Sequence, residues 1–337
     1  MTFSIIYTND IGYGLNRVVV IIPLLVIPIT FFLVSSKESI DFLNLERFIQ
    51  ISFFASTVLF FIGVLIQNYY RGFINETIFT HYAERLNSKY GKYSMHPLYA
   101  SMYVILSLVF AIPIYSIAKK TYQKVLMIIS LLFLLLVLLL LARKGPIMLA
   151  FIIFLIYFIK FQNKKRILVY TLIVSLFFIL ITLIEPIRNR FVEFINIVLN
   201  VGYNHNGSTS IRLNVYECSF DAIIKKPFFG YGIGDVKTVL QQCYSFKEMS
   251  YFNSHNQFLS AWLSSGFLGV ISLGLIFFNS FRLALKSSDF VFFSIIFLFF
   301  FMSMTENILE RQDGVLLFAF FINFYVFKAV KQKQVNE

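Results

Sequence analysis

The sequence predicts an all-α polytopic membrane protein with about nine transmembrane helices and one large extracytoplasmic loop. Three observations predict it. The chain is 58% hydrophobic and only 14% charged, with 43 Phe and 19 Tyr in 337 residues. Its mean hydropathy is +0.76, more apolar surface than a soluble core of this length needs, and its repeated apolar runs match the bilayer core. Lysine and arginine concentrate in alternate short connecting segments. Lipid excludes irregular backbone, so the runs are expected to be helices packed as one membrane domain, 1–337. There is no heptad pattern, low-complexity tract or short repeat. Met1 to Gly14 lacks a basic n-region, so no cleavable signal peptide is expected.

Hydropathy places spans at about 18–34, 48–66, 97–117, 125–141, 146–161, 167–184, 257–278, 290–303 and 314–328. Short-loop charge orients them. With the tail residues Lys328, Lys331 and Lys333 inside, the inner segments also hold Lys37 and Arg47, then Lys119, Lys120 and Lys124. Lys160, Lys164, Lys165 and Arg166 follow, then Arg282 and Lys286. This is the excess that the positive-inside rule expects. The smaller loop 67–96, the large loop 185–254 and the segment Met304 to Asp313 then face outward.

One outward turn breaks the rule. Arg143-Lys144-Gly145-Pro146 joins the fourth and fifth spans and carries two positive charges. Pro146 suits the first turn of the next helix. The plain reading is that both cations snorkel to outer-leaflet phosphates. The sharper one is that Arg143 faces inward and holds an anion, because a charge at a span end needs a partner.

The large loop opens with Arg188 and Arg190, just after Pro186. Gly207-Ser208-Thr209-Ser210 and Arg212 follow, then Leu213 to Ile224, whose spacing reads as an amphipathic helix ended by Lys225-Lys226-Pro227. Phe228 to Asp235 (F-F-G-Y-G-I-G-D) is glycine-rich. No strand precedes it, the G-x-G-x-x-G spacing fails, and the Gly-Lys-Ser/Thr ending of a phosphate loop is absent. Its expected role is a tight turn that packs the loop helix on the bundle. The Ser/Thr cluster can cap that helix and so place Arg212 in the first turn, where the dipole disfavours a cation. An anionic ligand gives an arginine a purpose there; a solvated surface arginine is the plainer reading. Cys218 and Cys243 both fall in this loop, as a disulfide in an oxidising compartment or as two free thiols.

His255-Asn256 stands where the loop re-enters the membrane, and nine residues later comes Gly266-Phe267-Leu268-Gly269. With Asn253 or Ser254 as N-cap, the imidazole falls in the first turn of the seventh span. The positive helix end disfavours imidazolium there and leaves a ring able to accept a proton. Histidine is also the usual general base. An interfacial histidine that only hydrogen-bonds a neighbour is an equally simple reading of these features. His81, His96, His205 and His255 form no i,i+4 pair and Cys-x-x-Cys is absent, so no metal site is expected.

Taken together, these residues resemble the O-antigen ligase and polymerase superfamily of bacterial glycan assembly. The resemblance rests on H-N-x9-G-x-x-G (His255, Asn256, Gly266, Gly269), on Arg212 followed by K-P-F-F-G-Y-G-I-G-D (Lys226 to Asp235, with Gly230 and Gly232), and on the Arg-Lys-Gly turn at Arg143. It covers roughly residues 120–325. Thr305-Glu306-Asn307 through Glu310-Arg311 and Gly314 is similar to the family's closing outer loop. The resemblance implies a GT-C-like helical fold in the bacterial inner membrane with its site facing the periplasm. It implies transfer of a glycan from undecaprenyl pyrophosphate to an acceptor hydroxyl, with no cofactor. In a ligase the acceptor is lipid A–core, and in a polymerase it is another lipid-linked glycan; the compact loop leans toward ligase. His255 is implied as the base that deprotonates the acceptor. Arg143 and Arg212, with Arg188 or Arg190 as lesser candidates, are implied on the pyrophosphate. Glu185, Glu217 and Asp235 are the candidates to orient His255. Two departures stand out: members commonly have more spans, and Ala142-Arg143-Lys144 replaces their more usual Ser-Arg-Gly. The net charge of +12 suits membrane lipids and an anionic lipid partner, and no nucleic acid is expected. A transporter of lipid-linked glycan would call for mid-span charges, which are almost lacking here. A scaffold would leave Arg143, Arg212 and His255 without a common purpose.

Overall fold

The computed structural model describes residues 2–35, 41–72, 82–84, 86, 95–160, 188–189, 192, 195–196, 208–250 and 252–336. The expected span 167–184 lies outside these, as do most of 67–96, Lys37, His81, Lys164, Lys165, Arg166, Glu185, Arg190 and His205. The described elements are all helical: α1 (Ile11–Ile21), α2 (Pro23–Ser35), α3 (Phe42–Tyr70), α4 (Pro97–Ile117), α5 (Thr121–Leu140), α6 (Lys144–Lys160), α7 (Ser208–Lys225), α8 (Val236–Phe246), α9 (Gln257–Lys286), α10 (Phe290–Thr305) and α11 (Gln312–Asn336), with 3-10 turns at Thr2–Tyr7 and Ile308–Glu310.

Among the described residues, six candidate spans are long and apolar enough to cross a membrane: Ile11–Val34, Phe42–Tyr70, Pro97–Ile117, Thr121–Leu140, Gln257–Lys286 and Gln312–Gln332. The protein is a polytopic all-α membrane protein. Hydropathy alone gave nine spans. Among the described residues the difference arises because α6 has only 17 residues and α10 only 16.

The chain forms two compact units, Asp41–Ile195 and Met1–Ile40 with Asn196–Glu337. In the first, α3, α5 and α6 pack around α4, which is apolar on all sides and buried along most of its length. Phe53 stacks on Tyr103 at 5.3 Å and meets Phe110 edge-on at 5.5 Å. The Leu98 N–H donates to His96 Nδ1 at 3.3 Å, and Pro97 takes the first helical position, where no amide hydrogen is needed. Between α5 and α6 the chain turns through Ala142 in the left-handed region (φ 48°), a common way to stop a helix.

The second unit is held by phenylalanine. Phe31 of α2 lies 5.8, 6.1 and 6.0 Å from Phe320, Phe324 and Phe327 of α11. Phe277 of α9 sits 5.3 Å from Phe300 and 5.7 Å from Phe318, edge-on arrangements that suit the ring quadrupole. Outside these long helices, α7, α8 and the start of α9 enclose a small core of Val215, Cys218, Leu240, Tyr244, Leu259 and Leu263. Cys218 and Cys243 form a disulfide between α7 and α8, which decides between the two readings of these cysteines.

α9 is two helices. Gly266 breaks it with φ 64° and ψ −159°, leaving 257–265 before the break and 267–286 after it. A break orphans carbonyls on one side and amides on the other. The glycine-rich turn satisfies both. Tyr231 N–H donates to Leu263 O at 2.7 Å, Gly232 N–H to Ser264 O at 3.2 Å, and Phe267 N–H to Pro227 O at 3.0 Å. The Trp262 indole also donates to Pro227 O, at 2.9 Å. A Cβ on Gly266 would stand 1.9 Å from Phe228 O, and one on Gly269 would stand 2.6 Å from Ala261 O. The G-x-x-G spacing thus marks where the loop docks into the helix and where the two halves of α9 crowd each other. The second half corresponds to about 30 Å of rise, one bilayer core.

Candidate active site

The site forms where the end of α10, the start of α9 and the first turns of α7 meet. Asn256 is the N-cap of α9. Its Oδ1 accepts from Phe258 N at 2.8 Å and Leu259 N at 3.2 Å, and its Nδ2 donates to Met304 O at 3.1 Å. One carboxamide therefore starts α9 and ties it to the end of α10. Aspartate cannot do both, having no donor.

His255 is corrected by one position: it precedes the N-cap instead of lying in the first turn. It adopts φ 44° and its N–H donates to Asn253 Oδ1 at 3.3 Å. This places the ring against the end of α10, where Nδ1 lies 3.1 Å from Glu306 Oε2. A carboxylate only accepts, so Nδ1 donates this bond, and in the neutral ring Nε2 is the nitrogen left to accept. The other oxygen, Oε1, forms an ion pair with Arg212. Arg212 lies one turn into α7, which begins at Ser208, later than the expected first turn. Arg212, Glu306 and His255 are each partly shielded, with side-chain exposures of 34%, 18% and 22%, so the cluster faces solvent enough to meet a substrate.

Tyr216, one turn beyond Arg212, donates to His255 O at 3.2 Å. Burial pushes its phenol up; Arg212 acts against that shift and Glu306 adds to it. The group therefore stays a neutral donor.

Among the described residues the acidic partner of His255 is Glu306, not the expected Glu217 or Asp235. Glu217 pairs with Lys247 Nζ at 2.6 Å. Asp235 accepts from Asn9 N at 2.8 Å and Asp10 N at 2.9 Å, clamping the amino-terminal segment. Glu185 lies outside the described residues. Glu306 carried two signals: its place in the polar segment between two phenylalanine-rich helices, and the likeness of Thr305-Glu306-Asn307 to the family's closing outer loop, neither of which points to His255.

A second carboxylate braces that segment. Glu310 pairs with Arg17 of α1 (Nη2 to Oε2, 3.1 Å) and accepts from Ser260 and from Asn307 Nδ2. Arg17 also donates to Glu310 O at 2.9 Å. Gln257 Oε1 accepts from Leu309 N at 2.8 Å, and Asn307 Nδ2 donates to Ser254 Oγ at 2.9 Å. Glu306 is thus set by a turn bound on both sides.

Arg143 sits half-buried at the head of α6 in the Asp41–Ile195 unit, its carbonyl accepting from Ile147 N at 3.1 Å. Arg188 is exposed in the same unit. Gly230, Gly232 and Asp235 belong to the turn that completes α9 and touch no member of the His255 cluster among the described contacts. No group of three or more His, Cys, Asp or Glu residues suited to a metal occurs among the described residues.

Residues 128–274 match the family described as Wzy_C, O-Antigen ligase. No curated protein matches the chain.

Proposed function

We propose that this member of the O-antigen ligase and polymerase superfamily moves a glycan from undecaprenyl pyrophosphate to a hydroxyl of lipid A–core, on the outer face of the inner membrane. The observation that carries the reading is the Glu306 carboxylate, which holds Arg212 with one oxygen and His255 with the other. A base and an anion-binding cation thereby share one positioning group.

In this reading His255 Nε2 takes the proton of the acceptor hydroxyl while its oxygen attacks C1 of the donor sugar. The bond from C1 to the pyrophosphate oxygen breaks on the opposite face, so the anomeric configuration inverts. The electron pair leaves with undecaprenyl pyrophosphate, and Arg212 stabilises that growing charge. Glu306 balances the imidazolium formed at the same moment. Arg143 is assigned to the pyrophosphate from its motif, with Arg188 and Arg190 as lesser candidates. The disulfide supports an oxidising, outward-facing compartment for the loop.

The test is transfer by the purified full chain from lipid-linked glycan to lipid A–core. His255→Ala is expected to lower the rate by about 10²–10⁴-fold; full activity in that variant would remove His255 as the base. Elongation of the lipid-linked glycan with none on lipid A–core would replace ligase by polymerase.

A further inference from the structure

A cavity of about 920 Å³ is bordered by one face of α8 and lined by no member of the His255 cluster. Asp235, Thr238 and Gln242 face it, whereas Val236, Lys237 and Leu240 face the crevice with Arg17, Ser254 and Glu310. It therefore belongs to neither carboxylate network. Its size is at the upper end for ligand sites, about 300–1,000 Å³. Its walls are Tyr7, Phe228, Phe229 and Tyr231, and both phenylalanines are 71% exposed.

The lining chemistry selects the occupant. Asp10 and Asp235 outnumber the one ammonium, Lys226, which already sits 4.9 Å over the Tyr231 ring; an anionic ligand is disfavoured. A polyprenyl chain would strip water from Asp10, Lys226 and Gln242 with nothing in return. Uncharged sugar rings match both features: their C–H faces lie on aromatic rings, and their hydroxyls meet carboxylate, hydroxyl and amide groups. We infer that this cleft binds uncharged sugar residues of the glycan, away from the bond that reacts. The inference rests on the glycan-transfer reading for which sugars arrive. Binding remote sugars holds the reacting one in place, as binding energy far from the chemistry commonly does.

The chain has a built-in reporter, because its single tryptophan, Trp262, bonds to Pro227 beside Phe228. The full chain in detergent is titrated with oligosaccharides released by mild acid from the host's own surface polysaccharide. Undecaprenyl phosphate without sugar is titrated in parallel. Tryptophan emission is expected to change saturably with the oligosaccharide, equally in wild type and His255→Ala. Thr238→Phe, which fills the cleft, and Phe229→Ala are expected to weaken binding at least tenfold while the Cys218–Cys243 disulfide remains intact on a non-reducing gel. No saturable change in wild type, unaltered affinity in Thr238→Phe, or saturation by sugar-free undecaprenyl phosphate alone would overturn the inference. Loss of transfer chemistry is read separately in the His255→Ala assay, so the two readings fail independently.

Discussion

Glu306 is separated by 51 residues from His255 and by 94 from Arg212, yet it joins them. If it both orients the imidazole and balances its charge, Glu306→Gln keeps an acceptor for Nδ1 but loses the charge. The rate of transfer is expected to fall at least about tenfold, a loss of about 1.4 kcal/mol of transition-state stabilisation, with partial recovery in Glu306→Asp. A variant as fast as wild type in the transfer assay would reduce Glu306 to a structural brace. Asn256 separates its two duties in the same way. Asn256→Asp retains the helix cap and loses the bond to Met304 O, which costs about 1 kcal/mol; Asn256→Ala loses the cap as well, about 1 kcal/mol more. Thermal unfolding in detergent measures both. The histidine motif was legible from residue types and spacing. Its acidic partner was not, because nothing local links Glu306 to a histidine 51 residues away.

At the scale of elements, the break in α9 explains why glycines recur in two distant segments. The turn 227–232 supplies the donors and the acceptor that a broken helix lacks, so it serves as a cap delivered from elsewhere in the chain. Gly266→Ala would set a methyl group against Phe228 O and force a left-handed alanine. It is expected to destabilise the folded chain by about 3 kcal/mol or more. Gly274, later in the same helix, has nothing within 4 Å of an added Cβ, so Gly274→Ala should be neutral or stabilise by up to about 1 kcal/mol. Equal melting temperatures for the two variants would contradict this account of the break. The helix itself was legible from hydropathy; the break was not, since a glycine in an apolar run reads the same whether the backbone turns or continues.

For the whole molecule, two expectations concern compartment and covalent structure. The disulfide closes a loop of 25 residues, and its reduction is expected to cost about 3 kcal/mol in the small core of α7, α8 and the start of α9, seen as a lower melting temperature with reductant. If the charge bias sets orientation, a cysteine at Gln242 should react with a membrane-impermeant maleimide in intact spheroplasts and one at Lys119 should not; the reverse pattern would invert the topology. By itself the sequence determined the class of protein, most helices and the polar segments to which the chemistry is assigned. Hydrophobic length and internal satisfaction of the backbone are local requirements of a bilayer, so they are written in consecutive residues. Only the tertiary structure decided that Glu306 faces His255, that Asp235 clamps the amino-terminal segment instead, that the cysteines pair and that the glycine-rich turn completes α9. Those outcomes depend on which distant groups the packed helices bring within a few ångströms, and no run of neighbouring residues encodes that distance.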